Sequence, residues 1–221
     1  MKNVMIATPS YDGKLSAQYT YSLFETDRLA NKYGLNLYPS FVCYESIIQK
    51  VRNDLFATAY HNKVDGIFFI DADIGWNPQE LIDLVYRDED VVGGVVPSRV
   101  IGEESWNVYF DKLSQIQYSK DKELIKVEKI GTGFLRLTRK VIVDLWNNSE
   151  KYFDNNIEKA NIFEVKIIDG GIESEDYTTC LKLTKLGYQS WGAYKINPSH
   201  VGTNIAYKSF IKFLQENNYK L

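Results

Sequence analysis

Residues 66–78 read "GIFFIDADIGWNP". Gly66 to Ile70 carry no charge, and a short apolar run bounded by turn signals suits a fully buried strand. Two aspartates, Asp71 and Asp73, then come one residue apart. In extended backbone, residues i and i+2 point to one face, so the two carboxylates are expected to project together. Neighbouring anions repel and raise each other's pKa unless a cation offsets them. Hard oxygen ligands suit Mg²⁺ or Mn²⁺, which bridge to phosphates using one or two protein carboxylates. A solvated turn would use the same residues, since Asp is common in turns. The apolar strand before the pair and the "GWNP" turn after it tip the reading toward a cation site.

Outward from this stretch, strand and helix patterns alternate. Towards the N-terminus lie a strand at 3–7, a helix at 15–34 closed by Gly34, a strand at 35–42 and a helix at 45–62. Pro39 moves the second strand to an edge, and Ile47, Ile48, Val51 and Leu55 have helical spacing. After the aspartates, Asn77 is an N-cap and Pro78 a first helical residue for a helix at 77–88. A strand at 90–96 follows. This rhythm predicts an α/β fold with a mostly parallel central sheet and helices on both faces. Ligands in such sheets bind at the carboxyl ends of the strands, where Asp71 and Asp73 lie. The second half changes character. "SWNVYF", "IQYSK" and "ELIKVEKI" alternate as antiparallel strands do. Then come "GTGFLRLT", a helix around 139–148, a loop-like segment at 150–172, a helix around 174–187 and a strand at 188–194.

The chain has 221 residues, enough for one large domain with a substantial core. A single domain is expected, with a nucleotide-type α/β half (1–100) and a mixed half (101–221). Net charge is -3, which does not recommend nucleic acid as a partner. Cys43 and Cys180 have no zinc spacing, and both read as reduced, buried thiols. No apolar run reaches the ~18 residues of a spanning helix. The expected location is the cytoplasm, or the host's cytoplasm for a viral chain. The sequence leaves the oligomeric state open.

Four further stretches, with the Asp71-Ala72-Asp73 motif, resemble a glycosyltransferase of the GT-A fold, close to inverting family 2. They are "ATPSYDG" at 7–13, "QKVRNDL" at 49–55, "GTGFLRLTRKV" at 131–141 and "SEDY" at 174–177, followed by "HVGT" at 200–203. The small form is similar to enzymes of phages and large algal viruses. The resemblance runs over about residues 3–203 and implies a Rossmann-like nucleotide-binding half with a mixed acceptor-side half. By it, Thr8, Pro9, Ser10 and Tyr11 form the base pocket, with Tyr11 stacking on the base. Arg52 points toward the nucleotide, where a guanidinium pairs with phosphate or base oxygens. Gly131 and Gly133 line the sugar and acceptor cleft, where backbone approaches ligand closely. His200 completes a Mn²⁺ or Mg²⁺ site with Asp71 and Asp73. His61 reads as a helix-surface residue. One departure stands out: many family members carry an acid after the second strand that reads uracil, and here "FVCYES" departs from that pattern, with only Glu45 nearby.

The activity so implied is transfer of a sugar from a nucleotide-sugar, UDP-linked and UDP-glucose by default, to a glycan or other hydroxyl acceptor. Asp176 is the base and Glu175 its runner-up. Two other readings stay open: a phosphohydrolase using Asp71 as nucleophile, and a nucleotide-sugar-binding module without turnover.

Overall fold

A computed structural model of the chain describes residues 1–98, 105–110, 115–202, 205–206, 209–217 and 219. Thr203, the last residue of "HVGT", lies outside the described residues. The core is a seven-stranded sheet in the order β2 (Leu35–Cys43), β1 (Lys2–Ser10), β3 (Gly66–Ile70), β9 (Phe134–Thr138), β5 (Val91–Gly94), β14 (Ser190–Ala193) and β7 (Ile125–Val127). Five strands run one way. β9 lies antiparallel between β3 and β5, and β7 runs antiparallel at one edge. The sheet is therefore mostly parallel, and it takes strands from both halves of the chain.

The period-two pleat of β1 explains the layers. Met5 and Ala7 face one apolar cluster, Val4 and Ile6 the other. Helices α1 (Ala17–Ala30) and α3 (Pro78–Val85) cover the second face through Tyr19, Leu81 and Ile82. Helices α2 (Ile48–His61), α4 (Arg139–Asn147), α5 (Glu175–Lys185) and α6 (Phe210–Glu216) cover the first. β3 is buried from end to end. Each of its large side chains contributes about 1.5–3 kcal/mol by leaving water, which holds the aspartates beyond it in place.

Local signals act as expected. Gly34 closes the turn after α1 with φ +66°. The Asn77 side chain accepts from the Gln79 N–H, with Pro78 opening α3. Pro39 sits in β2, which is an edge strand. The small strands β6 (Val108–Tyr109) and β8 (Lys129–Ile130) pair with each other.

Two expectations are corrected. Residues 150–172, which read as a loop, hold two hairpins: β10 (Lys151–Asp154) with β11 (Ile157–Ala160), and β12 (Lys166–Ile168) with β13 (Gly171–Glu173). Their turns place Asn155–Asn156 and Asp169–Gly170 at positive φ, the requirement of a tight two-residue hairpin turn. Cys43 is exposed at the end of β2, whereas Cys180 is buried and both thiols are free. Burial pushes the Cys180 thiol up to about 12.

Candidate active site

The site opens at the carboxyl ends of β1 and β3. A cleft of about 840 Å³ is walled by Pro9, Ser10 and Tyr11, by Arg52, and by Asp71, Ala72 and Asp73. That size suits a nucleotide-sugar. The Ala72 carbonyl accepts from the Ser16 N–H (2.9 Å), and the Ser16 hydroxyl caps α1. The start of α1 is thus tied to the aspartate loop. Tyr11 is 73% exposed, so its ring is open to a ligand. Thr8, by contrast, is fully buried, with its hydroxyl 2.5 Å from that of Tyr19. It supports the strand and does not reach the cleft wall.

The two aspartates do not project together. β3 ends at Ile70, and the Asp71 carbonyl accepts from the Ile74 N–H across a turn. Asp71 points at Arg52, with Oδ1 3.2 Å from Nη2. Asp73 faces His200, with Oδ1 3.5 Å from Nε2. A second short sheet creates that meeting. β15 (Ser199–Val201) lies antiparallel between β4 (Ile74–Gly75) and β16 (Ile205–Ala206), with His200 opposite Ile74. The Val201 N–H also donates to the Asp73 carbonyl (2.8 Å). Close approach needs Gly75: a Cβ there would lie 2.6 Å from the Ser199 hydroxyl and 2.8 Å from Gln18 Cβ.

The His200 ring tests whether a cation fits. Its Nδ1 is 2.7 Å from the Pro97 carbonyl, which can only accept, so Nδ1 carries the proton. In the neutral ring this leaves the Nε2 lone pair directed toward Asp73. The buried Nε2 has no hydrogen-bond partner among the described residues. A carbonyl-oriented imidazole beside a carboxylate is a usual metal-ligand arrangement. Cis ligands around a Mg²⁺-sized ion stand about 3 Å apart, near the spacing seen here. The described residues contain no cluster of three His, Cys, Asp or Glu side chains suited to a metal. Among the described residues, Asp73 and His200 are the pair spaced to share a cation, while Asp71 is ion-paired to Arg52.

A second pocket of about 320 Å³ adjoins the cleft and shares Arg52 and Asp71 with it. Gly131, Gly133, Asn107, Asp176 and His200 line it. A Cβ at Gly133 would meet Asp71 Oδ2 at 3.0 Å, and one at Gly131 would meet Asp176 Oδ2 at 3.2 Å. The glycines thus let both carboxylates approach this backbone. Asp176 Oδ1 accepts from the Ser174 hydroxyl and from the Tyr177 N–H (2.8 Å). Ser174, at the N-cap position of α5, makes no side-chain capping bond and turns its hydroxyl to that carboxylate. Arg52 is buried and ion-paired to both Asp71 and Glu175, so its guanidinium engages two carboxylates where the sequence resemblance aims it at the nucleotide. Burial raises the Glu175 carboxyl above its usual range, and Arg52 opposes the rise. His61 lies on the surface, its Nε2 3.2 Å from the Glu158 carbonyl.

Two residues join the site unannounced. Asn107 accepts from the Val96 N–H (2.8 Å) through its side chain and from the Gly131 N–H (2.7 Å) through its carbonyl. No motif singles it out. Lys14, on the cleft wall and paired with Asp12, was legible as a cation in the loop "SYDGK".

No family model matches this chain, and neither does any curated protein. Solved structures match it by fold. A197 from STIV superposes with a TM-score of 0.55 at 14% identity, over 91% of this chain and 86% of that one. Residues 1–349 of TarS from S. aureus, in complex with UDP-GlcNAc, give 0.46 at 19% identity, over 82% of this chain and 53% of TarS. This chain thus spans about half the length of that TarS fragment. The architecture is the GT-A fold that the sequence resemblance implies. Among the described residues, no helix is long and apolar enough to cross a membrane.

Proposed function

We propose that the protein is a glycosyltransferase that moves a sugar from a UDP-linked donor to a hydroxyl acceptor with inversion. One observation carries this reading: Asp73 and His200 face each other where the large cleft meets the smaller pocket holding Asp176. The cleft takes the nucleotide, with Tyr11 against the base and the Asp71–Asp73 loop beneath the diphosphate. The pocket takes the sugar and the incoming hydroxyl. Mn²⁺ or Mg²⁺, held by Asp73 and His200, would supply Lewis-acid neutralisation of the departing diphosphate. Asp176 Oδ2 takes the acceptor's proton. The freed oxygen pair forms the new bond to the anomeric carbon, on the face opposite the diphosphate. The old carbon–oxygen bond breaks, and its electron pair leaves on UDP. Asp176 then returns the proton to solvent. Its Oδ1 is already fixed by two donors, so the free oxygen is presented at little further ordering cost.

The test is UDP release from UDP-glucose and UDP-GlcNAc, with water as the acceptor. Asp176→Asn is expected to lower kcat by about 10²–10⁴-fold, the usual worth of a positioned base, while UDP still binds. EDTA is expected to stop release and Mn²⁺ to restore it. Near-normal release by Asp176→Asn would overturn the assignment of the base. Phosphate release from a generic ester, independent of His200, would point instead to a hydrolase using Asp71. Metal-dependent UDP binding without donor consumption would indicate a binding module.

A further inference from the structure

Three elements converge on one guanidinium. Arg52 comes from α2, Asp71 from the end of β3 and Glu175 from the first residue of α5. Arg52 is 5% exposed, with Nη2 3.2 Å from Asp71 Oδ1 and Nη1 on Glu175 Oε1. Glu175 is 8% exposed and lines neither the cleft nor the pocket, although its neighbour Asp176 lines the pocket. A buried charge pair of this kind is costly to break, because one partner is left uncompensated. It is stiff as well, since a planar guanidinium holds two carboxylates in a fixed fork.

We infer that Glu175 is a positioning residue, and that the Arg52–Glu175 pair anchors the first turn of α5 to the donor-cleft wall and so sets Asp176 in the pocket. The inference rests on the glycosyltransferase reading and deepens it. It assigns the two adjacent acids different work: Asp176 meets the acceptor, and the Glu175 carboxylate is held, among the described residues, by Arg52. It also links the donor side to the base, because Asp71 on the cleft wall shares the same guanidinium. The rest of α5 keeps its own ties. The Thr178 and Thr179 hydroxyls both donate to the Glu175 carbonyl, and Thr178 also donates to the Glu164 carbonyl. Glu175→Gln should therefore fold.

The experiment measures UDP binding with Mn²⁺, then UDP release from UDP-glucose and UDP-GlcNAc with water as acceptor. Glu175→Gln is expected to bind one UDP per chain, with donor KM and UDP Kd within about threefold of wild type. Its kcat is expected to fall about 10²-fold, the scale of a base misplaced by about 1 Å. A kcat within threefold of wild type overturns the inference. So does a loss of UDP affinity that matches the loss of kcat, because Glu175 would then act on the donor. Formate separates an anchor from a base. As a small carboxylate it is expected to restore release to Asp176→Ala but not to Glu175→Ala, and rescue of Glu175→Ala overturns the inference. Should Glu175→Gln bind less than one UDP per chain, Glu175→Asp gives the same reading. It keeps the charge one methylene short, so about a tenfold loss of kcat is expected, and a wild-type kcat overturns the proposal. Wild-type protein that neither binds nor releases UDP sinks the glycosyltransferase reading, and this inference with it.

Discussion

Asp71 and Asp73 are separated by one alanine, yet the fold gives them opposite surroundings. Asp71 enters a closed ion cluster with Arg52 and Glu175. Asp73 faces one imidazole across a gap of 3.5 Å. The first cluster joins helices to the sheet and sets the protein's own arginine between two carboxylates. The second is a carboxylate beside a ring nitrogen that has no hydrogen-bond partner among the described residues. Because the strand ends at Ile70, the alternation that would aim both carboxylates at one ion stops just before them. One acid of the motif is thus tied to the frame through Arg52, and the other faces an imidazole.

The sharpest way to break that contrast is a double-mutant cycle. Asp73→Ala and His200→Ala are each expected to weaken Mn²⁺ binding in the presence of UDP by more than about 10²-fold, exceeding the usual cost of losing an outer-shell partner. The double variant should lose no more than the worse single, since both side chains would hold one ion. Asp73→Ala combined with Glu175→Gln should instead show losses in UDP release that add, because those residues lie in different clusters. Calorimetric titration of Mn²⁺ into the UDP complex reads the first pair. Additive losses for Asp73 and His200 would mean that they do not share an ion.

The difference between the clusters also marks what the sequence could reveal. β1, β3 and α3 were legible because apolar runs, Pro78 and the Asn77 cap are local signals. Asp71, Asp73 and Asp176 were legible as motif residues. The family resemblance implied His200 as a partner of Asp73, but the meeting of Arg52 with Asp71 and Glu175 was not legible, because pairing depends on elements far apart in the chain. Nothing near "NPSHVGT" says that β15 will lie against β4, and nothing in α2 says that Arg52 will meet Glu175. The insertion of β9 between β3 and β5 is a similar long-range choice. The hairpins at 150–172 are another matter. "DNNI" and "IDGGI" carry the turn chemistry, and only their exposed, weakly alternating flanks disguised them as loop.

A smaller effect tests the frame that brings Asp73 to His200. Gly75→Val is expected to destabilise the fold by about 1–3 kcal/mol, the usual range for overpacking. The added atoms would strike Ser199 and Gln18, as the close distances there require. The strain falls on β15, so Mn²⁺ affinity should drop while the Arg52 cluster stays intact. Urea unfolding gives the stability and titration gives the affinity. Loss of stability with unchanged Mn²⁺ affinity would uncouple β15 from the cation site.

The smallest effect comes from a third ion cluster, outside the cleft, which serves as a control for the other two. Arg87 pairs with both Glu89 and Asp121. Arg87 hydrogen bonds hold the carboxyls of Glu89 and Asp121 below their usual ranges. Depressed carboxyl pKa values stabilise the fold above the unfolded values of about 4. That contribution should disappear as pH falls from about 4 through the lower folded values. The Asp121 side chain is 47% exposed, so solvent screening limits the worth of the cluster to about 1 kcal/mol at most. Arg87→Met should flatten this acid limb of the stability curve, measured by urea unfolding between pH 2 and pH 6, and leave UDP binding at neutral pH unchanged. A shift in UDP affinity would mean that this outer cluster communicates with the cleft. The contrast would then no longer be confined to the Arg52 cluster and the Asp73–His200 pair, because the Arg87 cluster would belong to it as well.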